Sequence, residues 1–484
     1  MEDYDIIVAG AGMAGLTSAI TAAKNGAKVL LLDRNKEEEP GKKTNWGWIC
    51  GDAVAKVHLE RLMKATGISL DYPELNNKIN AVVAYSPDME KSFAFEGEGY
   101  ALNRPLFERK LRDYAIKLGV EYIPEFEVEG PIIENNYVVG VFGKDKNKEH
   151  KTFRAKIVID ALGIATTLRR RLPDNEFVSN KHVDVDDLES TGRFLFKAKI
   201  KYNDERYYSK DKAIIHLNQL IAPGGYGWVF PKSNNVVNIG IGVQKKSLEI
   251  YNTKLNKKET LHSLMSKYAK ELPVFEALEP YDEEFNNKGV GYWSVSVKRQ
   301  FESLVFNGYM CVGDSATMPN PLSAGGIGPA ITGGVICGAD AAEAIKNNDF
   351  SVKGLWKYNL DFNEAYGNKT AGLEAFRIYL QSLNNDLLNY GMKVFVDAAG
   401  AEALAYGNID DEGDSAIKTV VKAVISGSSN LRAFKNLIYT VRKMRKLNGL
   451  YNRYPKDYKR FGIWKAKVEY EIEEVKERFK PNPV

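Results

Sequence analysis

Two groups of residues in this chain have types and spacing suited to chemistry. The first is Gly10-Ala11-Gly12-Met13-Ala14-Gly15, with an aspartate following at Asp33. Glycines at this spacing let backbone N–H groups approach a pyrophosphate. The free N–H groups and dipole of a following helix favour an anion there. Asp33 stands close to the offset at which a carboxylate accepts hydrogen bonds from a ribose. The implied ligand is a dinucleotide held by Gly10, Gly12, Ala14, Gly15 and Asp33. The second group is Tyr226-Gly227-Trp228-Val229-Phe230-Pro231. Alternation puts Tyr226, Trp228 and Phe230 on one face of a strand. Gly224, Gly225 and Gly227 leave that face uncrowded. Alone, such a run is an ordinary buried strand. Beside a complete nucleotide site it becomes a wall suited to a long apolar substrate.

The elements that must position these residues are legible nearby. Asp5–Ala9 is a continuous apolar run typical of a buried parallel strand. An alanine-rich helix follows from Leu16 to Asn25, Gly26 stops it, and Lys28–Asp33 is a second strand. Lys156–Gly163 is a further strand, ending in a small-residue turn whose Asp160 and Gly163 are expected as cofactor contacts. Phe306–Ala316 is expected as another, ending in Gly313-Asp314. A glycine-rich loop with Gly325, Gly326 and Ile327 then leads into a small-residue helix, Pro329 to Ala342. The N-terminus of such a helix suits the pyrimidine edge of a flavin, which is negative when reduced. Asp314 is placed to bond a ribityl chain.

Composition narrows the function class. A chain of 484 residues suits two or three domains. A net charge of +4 is too small to imply nucleic acid. No apolar run approaches the roughly 18 residues that span a bilayer. The acidic start Met1–Asp5 runs straight into a strand and is not a signal peptide, so a cytoplasmic protein is expected. Cys50, Cys311 and Cys337 stand far apart with no CxxC, and the five histidines show no ligand spacing. No metal and no iron–sulfur cluster are expected.

Strand-like stretches Ile79–Tyr85 and Ser92–Phe95 suggest a hairpin, and Arg193–Ile200 and Val236–Val243 extend a second sheet. The expected division is a discontinuous nucleotide domain at 1–75, 100–170 and 295–365. A β-sheet substrate domain takes 76–99 and 171–294, and a helical region takes 366–484. From Arg432 to Lys467, twelve Lys and Arg stand against one acid, Asp457, with apolar residues interleaved. This stretch is either a solvated helix face or a surface for an anionic membrane or phosphate headgroup.

The strand–glycine–helix set resembles the flavoprotein family that includes aromatic hydroxylases and lipid reductases. The resemblance implies an α/β (α+β) fold, with a Rossmann-type FAD-binding domain of the aromatic-hydroxylase type and an inserted β-sheet substrate domain. It makes Arg104 an FAD contact and puts Val128 near the adenine. Cys50-Gly51-Asp52-Ala53, taken with Tyr226-x-Trp228-x-Phe230-Pro231, resembles the archaeal geranylgeranyl reductases. Ile79-Asn80, Tyr85–Met89 and Asn389–Lys393 extend the likeness over most of the chain. The family often has Pro-Cys-Gly where this chain has Ile49-Cys50-Gly51, preceded by the bulky Trp46 and Trp48. Leu322-Ser323-Ala324 is a further departure, in the glycine-rich loop.

What the resemblance implies is saturation of geranylgeranyl chains in ether-lipid precursors. The alkene is protonated and receives hydride from reduced flavin. Cys50, Gly51 and Ala53 border the flavin. Cys50 is the proton donor or relay, or else a residue that shapes the pocket. Tyr226, Trp228, Phe230, Pro231 and Trp48 contact the isoprenoid, whose headgroup is a phosphate or phospholipid. Electrons come from an external donor, ferredoxin or NAD(P)H, and peripheral contact with the inner membrane face fits the substrate. Alternatives are a reductase of prenyl quinone tails, an FAD-dependent monooxygenase of an aromatic or terpenoid, and a lipid binder that keeps FAD for structure.

Overall fold

The computed structural model describes residues 4–178, 181–281, 289–394 and 431–484. Its first sheet is centred on the strand Tyr4–Ala9, which pairs in parallel with Val29–Leu32 on one side and His150–Asp160 on the other. Glu121–Ile123 and Tyr309–Cys311 extend it outward, also in parallel. Ile6 to Ala9 have no solvent exposure, as a strand covered on both faces requires. The helix Met13–Lys24 packs against the long helix Ile327–Asn347. The approach is close because the second helix is glycine-rich. A Cβ at Gly334 would lie 1.9 Å from Thr17 Oγ1, and one at Gly338 2.3 Å from the Ser18 carbonyl oxygen.

One strand differs from its expected form. Phe306–Ala316 is not continuous: Val305–Phe306 and Tyr309–Cys311 pair antiparallel around Asn307-Gly308. A short 3-10 turn, Gly313–Ala316, follows. Gly308 takes φ +68°, and a Cβ there would sit 2.1 Å from the Val138 carbonyl oxygen. The chain must reverse at that point, and only glycine fits.

Among the described residues the second sheet has nine strands. Leu188–Ile200 pairs antiparallel with Val236–Gln244, with Phe275–Pro280 and with Val290–Ser296. Outward from Val236–Gln244 come Tyr226–Pro231, Lys212–His216, Leu75–Tyr85, Ser92–Leu102 and Ala53–Ala55. Leu75–Tyr85 and Ser92–Leu102 form the expected hairpin. Ala53–Ala55 leaves the stretch that feeds the first sheet and joins the second, so the residues just before it lie where the two sheets meet.

The described part of the tail is helical: Thr370–Gln381, Asn385–Val394, Leu431–Tyr451 and Phe461–Arg478. Residues 395–430 lie outside the described residues. The basic stretch is partly neutralised by acids just beyond it. Lys443 pairs with Glu471 and Glu474, and Lys446 with Glu471. Its apolar side, including Leu437, Tyr451, Phe461 and Trp464, is buried. Among the described residues no helix is long and apolar enough to cross a membrane.

Candidate active site

A cavity of about 520 Å³ lies between the two sheets. Its first end is built from backbone. Gly10 takes φ +103°, and a Cβ there would meet the Ala161 carbonyl oxygen at 2.4 Å. Gly12 is the opposite case: a Cβ there meets nothing within 4 Å. Gly12, Met13 and Ala14 open the first turn of the first helix onto this cradle, which fits a pyrophosphate. Gly15 does not line the cavity. It lets helix and strand touch, since a Cβ would fall 1.8 Å from the Gly10 carbonyl oxygen.

Asp33 ends the second strand and lines the same cavity. Its carboxylate accepts the Gly41 N–H at 2.9 Å and the Asn35 side chain at 3.1 Å, leaving lone pairs for a ribose. Burial pushes its pKa up. Phe126 and Val128 wall this end, with the Val128 carbonyl accepting Thr167 Oγ1 at 3.0 Å. Arg104, Gly163, Asp314, Gly325, Gly326 and Ile327 also line the cavity. Burial opposes the Arg104 charge, but its ion pair with Glu108 holds the guanidinium protonated. Asp314 Oδ2 lies 3.7 Å from Lys43 Nζ. Ile327 begins the long helix, so that helix points its N-terminus at the cavity. Phosphate cradle, ribose acceptor and helix terminus together fit FAD.

The other end is the face of the second sheet. Tyr226, Trp228 and Phe230 line it, with successive ring centroids 6.1 and 6.2 Å apart. Register explains the room they have. Tyr226 stands opposite Gly242, Trp228 opposite Gly240 and Phe230 opposite Asn238. The indole lies so close over Gly240 that a Cβ would be 2.2 Å from Trp228 Cζ2. Tyr226 donates its O–H to the Ser323 carbonyl. Burial, then the nearby Glu189 carboxyl, raise its pKa.

Thr191, Arg193, Trp293 and Val295 complete this wall from neighbouring strands. No sequence motif marks them. Their only local signal is Gly240 and Gly242 at a two-residue spacing in an apolar strand, which marks a close approach.

Cys50 sits between the two ends, half-buried and on the cavity wall. Gly51 brings its loop against the aromatics, since a Cβ there would lie 2.8 Å from Phe230 Cε2. Asn238 Nδ2 donates to the Cys50 carbonyl at 2.8 Å, and Trp228 Nε1 donates to Asn238 Oδ1 at 3.0 Å. Ala53 lines the same stretch. Cys311 and Cys337 are free and fully buried. Among the described residues no three potential ligands are grouped for a metal.

Three other expected contacts do not reach the cavity. Asp160 is buried and accepts Thr166 Oγ1 at 2.6 Å, the Tyr309 O–H at 2.8 Å and the Leu162 N–H at 3.2 Å. It builds the turn rather than facing a ligand. Trp48 has no exposure, and its N–H goes to Glu108 and the Pro40 carbonyl. Pro231 falls on the opposite parity of its strand and is buried away from the aromatic face. His58, also off the cavity wall, packs on Gly328 and meets Thr332 Oγ1 at 2.8 Å. Burial, with Arg61 and Lys369 nearby, brings its pKa down to about 4.

Comparison with known proteins matches this geometry. Residues 5–170 match the FAD dependent oxidoreductase family and residues 192–280 the geranylgeranyl reductase catalytic domain. A digeranylgeranylglycerophospholipid reductase of Sulfolobus acidocaldarius is 32% identical over 96% of both chains. The chain belongs to the digeranylgeranylglycerophospholipid reductase family. A second member, from Methanococcoides burtonii, is 30% identical over 76% of this chain and 82% of its own. A geranylgeranyl bacteriochlorophyll reductase-like structure from Thermoplasma acidophilum superposes with a TM-score of 0.71. It is 24% identical and covers 87% of this chain and 100% of its own. A myxobacterial chondrochloren halogenase shares the fold at TM-score 0.64 and 16% identity, over 93% of this chain and 97% of its own. Membership brings FAD as the cofactor and makes this digeranylgeranylglycerophospholipid reductase relative an FAD-dependent oxidoreductase.

Proposed function

We infer that this chain saturates the double bonds of geranylgeranyl chains on an isoprenoid phospholipid precursor, with FAD bound in the cavity. The observation that carries this is one continuous cavity with a pyrophosphate cradle at one end, an aromatic wall at the other and Cys50 between them. Bound FAD, when reduced, supplies hydride. Gly12, Ala14, Asp33, Arg104, Val128, Gly163, Asp314, Gly325, Gly326 and Ile327 hold and orient it. An isolated trisubstituted alkene is a poor hydride acceptor until it is protonated. Protonation at the less substituted carbon leaves tertiary cation character. The faces of Tyr226, Trp228 and Phe230 stabilise that charge by about 1–2 kcal/mol in a dry site. Cys50 gives the proton from its thiol, the one free thiol on the cavity wall among the described residues.

Residues 1–75, 100–170 and 295–365 form the FAD half in this scheme. Residues 76–99 and 171–294 form the substrate half, the segment from Cys50 to Ala55 is the seam, and the described helices of the 366–484 region brace both. The reductant is external, ferredoxin or NAD(P)H. Exposed Ile463 beside exposed Lys456, Lys459 and Arg460 supports peripheral contact with an anionic lipid surface, testable by co-sedimentation with vesicles.

The fold is shared with halogenases, so it does not choose the reaction. An anaerobic experiment does. The flavin is reduced with dithionite and a geranylgeranyl glyceryl phosphate lipid is added. Flavin reoxidation, with a gain of two hydrogens per double bond, is expected. Flavin that stays reduced beside unchanged lipid, then gives a hydroxylated product in air, would replace the reductase by a monooxygenase.

A further inference from the structure

Asp52 lines the cavity two residues after Cys50 and holds left-handed backbone, φ +67°. A non-glycine residue stays there only where its surroundings over-determine it. Here they do. Lys232 Nζ lies 3.1 Å from Asp52 Oδ2 and donates to the Leu102 carbonyl at 3.0 Å. Asn238 Nδ2 reaches the same Oδ2 at 3.3 Å, and the Leu102 N–H donates to the Asp52 carbonyl at 2.9 Å. The side chains of Asp52 and Lys232 are 1% and 2% exposed. A buried ion pair is a poor source of stability, because desolvation offsets much of the attraction. The other carboxylate oxygen, Asp52 Oδ1, is buried with no hydrogen-bond partner among the described residues. A charged acceptor in that state calls for a donor, and the cavity it lines is the one that fits FAD. The flavin carries ring N–H and ribityl O–H donors.

We propose that Lys232, Asp52 and Asn238 are positioning residues of the reductase: they clamp the Cys50–Ala53 loop to the aromatic strand, and Asp52 Oδ1 accepts a hydrogen bond from bound flavin. The clamp rests on the reductase assignment only for its effect on turnover. Its other consequences concern FAD and the thiol alone. The test compares wild type, the double variant Asp52→Asn/Lys232→Met, Asn238→Ser and Lys232→Arg. FAD affinity, the flavin visible spectrum and the rate of Cys50 alkylation by iodoacetamide are measured. Cys311 and Cys337 are fully buried, so alkylation reports Cys50.

The double variant leaves no unpaired buried charge. It is expected to bind FAD about tenfold more weakly and to alkylate Cys50 several-fold faster. A shifted spectrum assigns the donor to the ring, and weaker binding without a shift assigns it to the ribityl chain. Asn238→Ser, which keeps the ion pair, speeds alkylation by itself even where the double variant fails to fold. Lys232→Arg restores both properties towards wild type. FAD affinity and Cys50 alkylation unchanged in the double variant, with alkylation unchanged in Asn238→Ser, would overturn the clamp. A wild type that leaves prenyl lipid unreduced sinks the reductase assignment instead, while the FAD and thiol readouts still judge the clamp.

Discussion

The two ends of the cavity are built on opposite plans. The phosphate cradle of the nucleotide end comes from one strand–turn–helix unit, within residues 4–24, and works through backbone groups and missing side chains. The aromatic end is paved by side chains from strands far apart in sequence, including Leu188–Ile200, Tyr226–Pro231 and Val290–Ser296. A backbone site tolerates almost no added atoms but depends on few partners. A side-chain site can lose a member and keep its shape, yet its register depends on the whole sheet. Breaking the two ends should therefore produce different kinds of damage.

The largest contrast lies within the first end. Gly12→Val adds bulk where a Cβ meets no protein atom, so the variant should purify almost without FAD and melt at the temperature of the wild-type apoprotein. Gly15→Ala drives a methyl into backbone and should cost about 3 kcal/mol of stability, read by denaturant unfolding. Equal melting temperatures for the two variants would erase the distinction between cradle and packing glycine.

At the seam, Cys50→Ala and Cys50→Ser should keep FAD and lose about 10²-fold or more in turnover. Full turnover in the alanine variant would leave the thiol a packing role only. A third test reaches the aromatic end through pH. Burial raises the Glu189 carboxyl from 4.5 to about 7 despite Arg377 and Gln381 beside it. Tyr226 is a further ionisable neighbour. The folded state thus holds a proton that the unfolded chain releases. That stabilisation is complete below about pH 4.5 and is lost as pH rises through 7, amounting to about 3 kcal/mol. Glu189→Gln should flatten this decline between pH 5 and 8, and an unchanged stability–pH curve would contradict it. The smallest effect is expected from Trp228→Leu. It should lower kcat about tenfold through the lost aromatic face while FAD content stays constant.

This division also explains what could be read from sequence. The nucleotide end was legible because its glycines, strands and acid fall within a short local pattern with fixed spacing. Cys50 and the three aromatics carried strong local motifs. Trp48 misled because an indole in that loop suggests a ligand contact, whereas Glu108, on a helix sixty residues away, takes its N–H. Asp160 has the position of a cofactor acid but spends its oxygens on Thr166 and Tyr309. Arg193 and Trp293 were missed because only strand register brings them to the wall. The reversal at Gly308 was hidden in an otherwise apolar run, since one glycine there fits either a strand or a turn.

Gly240 is not itself on the cavity wall, yet the Trp228 indole rests almost on its Cα. A single methyl beneath the ring would be transmitted through it, as by a set-screw, into the space proposed above for a prenyl chain. The bore of this channel is thus adjusted from below, by a residue out of the chain's reach.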